Sequence, residues 1–291
     1  MHAAFPPPDP ASIAPDSAAH DPAAWPPPTG SPVEGQPAPY SSLLYRPDPR
    51  IRWGLPTAAL ALLGIVLPLA MLILLLSTGL LPFSPPIVFA GALASYLVAL
   101  VAPVAASRLR GLRSLAADFG LRFRWIDLPL GLALGLGVRV VIFAVLTAFS
   151  PFLGGAQGNL TLDPDPLWFV LSSVAIPVLV APVVEEILCR GVVMRAVRNR
   201  MLRDATPPSH ARRVAAVVVS ILASTAVFAL LHGHQMVNPA TVITLGVTTV
   251  VAGLAHGWIA TATGRLGAAI VSHATINASA VLLLGLVALA G

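Results

Sequence analysis

Seven runs of apolar residues constrain this chain more than any other feature. They cover approximately 53–80, 87–107, 126–149, 167–192, 212–233, 239–263 and 266–290, and each is long enough to cross a hydrocarbon core of about 30 Å. With no water in that core, main-chain N–H and C=O groups must be satisfied within their own segment, so all seven runs are expected to be helices. Only 10% of the residues are charged, against about a quarter in soluble domains. The expected fold class is therefore all-α: a polytopic membrane bundle of about seven transmembrane helices.

The basic side chains are all arginine, and their positions set the orientation. Arg46, Arg50 and Arg52 precede the first run. Arg108, Arg110, Arg113, Arg122 and Arg124 follow the second. Arg195, Arg198, Arg200, Arg203, Arg212 and Arg213 lie between the fourth and fifth, and Arg265 between the sixth and seventh. These connections alternate with others that carry no arginine, where Asp163 and Asp165 occur instead. The N-terminus is thus expected in the cytoplasm and the C-terminus outside. Arginines placed this way report topology, not nucleic-acid binding. The segments 108–125 and 191–213 mix arginine with apolar residues and are expected to lie against the cytoplasmic leaflet. Residues 1–45 are rich in proline and alanine, with runs at Pro6–Pro8 and Pro26–Pro28, and are expected to form a disordered cytoplasmic tail. Residues 46–164 then form the first membrane helices and 165–291 a polar-cored domain.

Two of the three glutamates, Glu185 and Glu186, sit together after about eighteen apolar residues. A carboxylate in lipid is costly, so it marks a functional site with a partner to be found. Glu186 and Arg190 are four apart on one helix face in the favourable order, acid before base. Glu185 points about 100° away, which leaves it free to react. Cys189, the single cysteine, excludes an intramolecular disulfide and is expected as an apolar filler. Arg139, inside the third run, would either meet the glutamates or a substrate carboxylate, or bond helix carbonyls. Gly131 with Gly135, and Gly253 with Gly257, have the spacing of close helix contacts.

Further polar residues lie in the late runs: His232 after Phe228, and His273 with Asn277 on one face of the seventh helix. Each alone could be interhelical glue. Together with Glu185 they supply an acid, two imidazoles and an amide, the inventory of a water-activating hydrolase. A carboxylate in a dry site is a stronger base than in water. Glu185 would activate water held by His232, and His273 and Asn277 would donate to the developing oxyanion. His234 and His256 are expected outside the site, one a loop neighbour and the other a helix-packing histidine.

These motifs, Glu-Glu-x-x-x-Arg (Glu185, Glu186, Arg190), Phe-x-x-x-His (Phe228, His232) and His-x-x-x-Asn (His273, Asn277), resemble those of the CPBP family of intramembrane proteases. That family includes the type II CAAX prenyl endopeptidases and the Abi-like proteins. The resemblance covers about residues 165–290. It implies an intramembrane endopeptidase acting on a membrane-anchored protein or peptide, with the lipid bilayer as its other partner and no nucleic acid. The all-arginine, alanine- and proline-rich composition, of the kind a GC-rich genome encodes, points to a bacterial plasma membrane. The resemblance also implies Glu185 as the catalytic glutamate, His232 as the water-positioning histidine, and His273 with Asn277 as the oxyanion pair; Glu186, Arg190 and Phe228 support them. No His-Glu-x-x-His occurs, so the preferred mechanism requires no cofactor. A divalent metal such as zinc on Glu185, His232 and His273 is the alternative. A non-catalytic scaffold or bacteriocin-immunity protein is the competing reading, ahead of a proton-coupled transporter, for which no inverted repeat is found.

Helical rise adds one tension. Counted from the nearest flanking arginines, Glu185 lies about 15 Å deep and His273 about 12 Å, but His232 lies about 28 Å from Arg213. They can share a site only if Arg212 and Arg213 sit on a helix extended beyond the membrane, or if that helix tilts.

Overall fold

A computed structural model describes residues 38–153, 165–203 and 207–290. Eight helices occur among them, with no strand: α1 (Leu55–Ser77), α2 (Pro85–Arg110), the short α3 (Leu115–Phe119), α4 (Asp127–Leu153), α5 (Pro166–Leu202), α6 (His210–Leu231), α7 (Pro239–Thr263) and α8 (Gly267–Ala290). Seven of these contain the seven apolar runs, and the protein is a multi-pass membrane bundle. Its large apolar side chains face outward: Leu60, Leu67, Val101, Phe143, Leu179 and Leu230 are all well exposed. This is the sheath expected where lipid is the solvent. Polar side chains collect inside instead, among them Glu186, Arg190, Ser224, His256 and Ser272, all fully buried.

α1 pairs with α2, α4 with α8, and α6 with α7, while α5 packs against α1, α2, α6, α7 and α8. Two of these contacts rest on glycine. A Cβ at Gly131 would meet Val271 and the Ala268 carbonyl, and one at Gly135 would meet Thr275 and the Ser272 carbonyl, so α4 and α8 touch backbone to backbone. Gly253 and Gly257 of α7 instead make room for the side chains of Thr225 and Ile221 of α6. Arg139 joins the α4–α8 seam, donating to the Ile276 carbonyl and, at 2.8 Å, to Ser279 Oγ. It is a structural arginine and meets neither glutamate.

α5 is not a uniform α-helix. Wide π-type turns occupy Phe169–Val180 and Ile187–Val193, and between them a single α segment, Ala181–Glu186, carries both glutamates. Such insertions are uncommon and concentrate at functional sites. The helix also continues to Leu202, ten residues past its apolar run. Segment 191–213 is therefore no leaflet-bound stretch: Arg195 and Arg198 are buried, not solvated. This removes the depth conflict between Glu185 and His232. Arg212 Nε donates to the Met201 carbonyl at 2.7 Å, so α5 ends beside the start of α6. Counted from Leu202, Glu185 lies about 25 Å along its helix, level with the about 28 Å of His232 on α6.

What buries those arginines is the end of the expected tail. Residues 1–37 lie outside the described residues, but 38–45 fold onto α5, so the tail boundary expected at 45 is too late. Arg198 donates to the Tyr40 and Ser42 carbonyls at 2.7 and 2.9 Å, and the Tyr45 hydroxyl donates to Asn199 Oδ1 at 2.9 Å. Arg195 and Arg198 also stack on the two tyrosine rings. The neighbouring loop closes on buried Asp118, which accepts from Trp53 Nε1, Ser107 Oγ and the Leu112 N–H. Segment 108–125 is likewise interior in part, and the arginine-bearing connections gather at one end of the bundle.

Candidate active site

Glu186 is the hub of the polar interior. It is fully buried, and its Oε1 accepts from Arg190 Nη1 at 3.0 Å, the partner set by their four-residue spacing. The same oxygen accepts from His256 Nδ1 at 3.0 Å and His273 Nδ1 at 3.1 Å. A carboxylate only accepts, so both imidazoles carry their proton on Nδ1. His256 Nε2 is then an acceptor, and it takes the Ser272 hydroxyl at 3.1 Å. Arg190 spends a second nitrogen on the Gly253 carbonyl at 3.2 Å and lies 4.7 Å over the Phe228 ring. Phe228 also sits edge-on to His232 and His273, with ring centroids at 4.8 and 5.4 Å. One carboxylate thus ties α5, α7 and α8 together, and one phenyl ring adds α6.

Glu185 faces the other way, as the 100° step predicts. Its Oε1 accepts from the Tyr96 hydroxyl of α2 at 3.0 Å. Its Oε2 has no hydrogen-bond partner among the described residues and lies 3.9 Å from His273 Nε2. Because Nδ1 of that ring donates to Glu186, Nε2 presents a lone pair. A carboxylate oxygen and an imidazole lone pair at that separation can share one water molecule. Glu185 also lines a cavity of about 310 Å³ with Tyr96, His232, His234 and apolar side chains of α1 and α2. His232 donates from Nδ1 to the Phe228 carbonyl at 2.9 Å, which leaves its Nε2 as an acceptor.

Asn277 has a partner that follows from the chain itself. The Ala181 N–H reaches back five residues to the Ile176 carbonyl, and the next residue, Pro182, has no N–H to give to Pro177. The Pro177 carbonyl is orphaned by this step, and Asn277 Nδ2 donates to it at 2.7 Å. Neighbouring helices commonly re-satisfy carbonyls freed by proline in membranes. Asn277→Ala is expected to cost about 1–3 kcal/mol in stability through that unpaired carbonyl. In a Pro182→Ala background, where a main-chain N–H returns, the cost should shrink to a few tenths. Thermal melts of the four proteins of this cycle in detergent measure the coupling; equal costs in both backgrounds contradict the assignment.

The comparisons with known proteins bear on the same helices. Residues 166–279, from the start of α5 into α8, match the family model described as type II CAAX prenyl endopeptidase Rce1-like. The chain carries an Rce1-like domain. No curated protein and no solved structure gives a significant match. The Rce1-like domain contains Glu185, Glu186, Arg190, Phe228, His232, His273 and Asn277. Tyr96 lies outside the matched residues, so the helices before the Rce1-like domain contribute to its polar centre.

Three residues extend the expected set. Tyr96 gives no periodic signal in its apolar run, although it is the one tyrosine within a span. His256 is satisfied, as expected of a packing histidine, but its partner is Glu186 and it belongs to the cluster. His234 shares the cavity wall with His232 and Glu185. Cys189 is a buried filler. As for a metal, Glu186, His256 and His273 bring three ligand atoms within 4.8 Å of one another. They already converge on Glu186 Oε1 beside the buried Arg190 guanidinium, and a cation there would face a positive charge at short range. That trio does not suit a metal.

Proposed function

We propose that this chain is an intramembrane endopeptidase that hydrolyses a peptide bond of a membrane-associated protein or peptide. The observation that carries the proposal is Glu185: a carboxylate on a cavity wall, one oxygen held by Tyr96 and the other open toward His273, within an Rce1-like domain. Glu185 would take a proton from water as the water oxygen bonds to the scissile carbonyl carbon, then pass it to the leaving amine. His232, on the same cavity wall, would hold the water. His273 and Asn277 would stabilise the oxyanion. For this, His273 must carry a proton on both nitrogens, and Asn277 must use the amide hydrogen not committed to Pro177. Glu186 and Arg190 hold the frame. No metal is required on this reading; the alternative places a divalent cation on Glu185, His232 and His273, where it would act as a Lewis acid. The all-arginine, alanine- and proline-rich composition supports a bacterial plasma membrane, and the arginine distribution puts the arginine-rich end in the cytoplasm. A membrane-anchored protein or secreted peptide precursor fits that setting better than the prenylated C-termini named for the family.

The test is cleavage of a membrane-peptide library by the purified protein, with and without a strong chelator. Chelator-resistant cleavage supports the glutamate mechanism, and loss restored by zinc moves the proposal to the metal. Cleavage of no peptide, in detergent or in bilayers, favours the scaffold reading. Tyr96→Phe, which removes only the donor to Glu185 Oε1, should lower kcat about tenfold with KM unchanged, in the range of one hydrogen bond to a charged group. A steady-state comparison measures it.

A further inference from the structure

A second polar cavity lies at the arginine-rich end, where the segment before α1, the end of α2 and the end of α5 meet. Its volume is about 230 Å³, and Arg52, Arg110, Arg200, Arg203, Thr57 and Asn199 line it with the first residues of α1. No carboxylate lines it among the described residues. The loops that form it are pinned: the Arg52 N–H donates to the Arg110 carbonyl, and Arg203 Nη2 to the Ile51 carbonyl, both at 2.7 Å.

Every polar side chain on this wall is a donor or can be one. α1 starts here without a side-chain cap on Gly54 and with Pro56 in its first turn. The Leu55 and Thr57 N–H groups are therefore left at the positive end of a long helix, an arrangement that favours an anion. Two buried side chains point to a ligand independently of the helix. Thr57 is only 6% exposed, and its hydroxyl has no partner among the described residues. Asn199 is 2% exposed and already accepts the Tyr45 hydroxyl at its Oδ1, so its amide hydrogens are what remains for the cavity. Burial pushes the Tyr45 phenol up to about 12, which keeps it a donor and keeps Asn199 in that orientation.

We propose that this cavity binds a phosphate group, supplied by an anionic phospholipid headgroup or by a free phosphorylated solute. Four arginines with their planar donor forks, a hydroxyl, an amide and a helix N-terminus match the oxygens of a phosphate. The site lies at the end of the bundle where the positive-inside rule puts the anionic leaflet surface. A bound phosphate would cross-link α1, α2 and α5 at the base of the helices that carry Tyr96 and Glu185. The inference does not depend on catalysis.

The full-length protein, purified in a neutral detergent, would be titrated with phosphatidylglycerol, phosphatidylcholine, glycerol 3-phosphate and inorganic phosphate, with the melting temperature as readout. The variants are Arg52→Gln with Arg200→Gln, whose side chains make no internal bond, and a charge-matched control, Arg46→Gln with Arg108→Gln, outside the cavity. The expected result is saturable stabilisation by phosphatidylglycerol and not by phosphatidylcholine. The apparent Kd should weaken about tenfold or more in Arg52→Gln/Arg200→Gln and less than about twofold in the control. If the soluble phosphates also stabilise and compete, the site takes free solutes; if only the lipid does, the headgroup is the ligand. Equal weakening in both double variants, or no saturable effect of any phosphate, overturns the proposal. Thr57→Val gives a second check without a change of charge and should weaken binding severalfold.

Discussion

Glu185→Gln is expected to abolish cleavage while leaving the fold intact. The amide keeps the shape of the side chain and can still accept the Tyr96 hydroxyl, so the only group it removes is the base. Removal of a positioned general base typically costs about 10² to 10⁴ in rate, and an amide cannot take a proton from water. Stability should change by less than about 0.5 kcal/mol, because Oε2 has no hydrogen-bond partner to lose among the described residues. Turnover of a library-derived peptide, read beside the melting temperature, checks both halves. Residual cleavage within tenfold of the wild type would move the base elsewhere.

Glu186→Ala should have the opposite profile: loss of folded protein first, and loss of cleavage only as a consequence. The substitution leaves the Arg190 guanidinium fully buried with the Gly253 carbonyl as its remaining polar partner, and strips His256 and His273 of their common acceptor. Breaking a buried pair from one side costs about 3–5 kcal/mol, enough to unfold a marginal protein. Removing both charges should be milder, so Glu186→Leu with Arg190→Met is expected to recover a large part of the loss. Monodisperse yield and thermal melts of the single and double variants measure this. A double variant no more stable than Glu186→Ala would show that the histidine contacts, not the buried charge, dominate.

Features set by local periodicity can be read from this sequence, and those made by distant partners cannot. The seven helices follow from apolar length, the Glu186–Arg190 pair from a four-residue spacing, and the α4–α8 contact from Gly131 and Gly135. Glu185 turns away from Glu186 because consecutive residues on a helix must. Tyr96 is different: its partner lies 89 residues away, and a single hydroxyl in an apolar run carries no pattern. Arg195 and Arg198 look solvated in sequence because arginine usually is; they are buried because Tyr40 and Tyr45, at the edge of a proline-rich stretch, fold over them. Asn277 shows both sides. Its spacing from His273 is visible, but its bond to Pro177 depends on a missing N–H at Pro182 combined with a π-type turn, which no side-chain pattern announces.

On the proposed mechanism two adjacent glutamates divide the labour: Glu185 faces a cavity and reacts, and Glu186 holds three helices. The measurement that tests this division most directly compares Glu185→Gln and Glu186→Gln in the same lipid nanodiscs, with folded fraction and cleavage read on each sample. The expected result is a Glu185→Gln protein that melts with the wild type and does not cleave, beside a Glu186→Gln protein that melts well below it. Two variants that melt alike and lose cleavage alike would contradict the division and make the pair a single structural cluster.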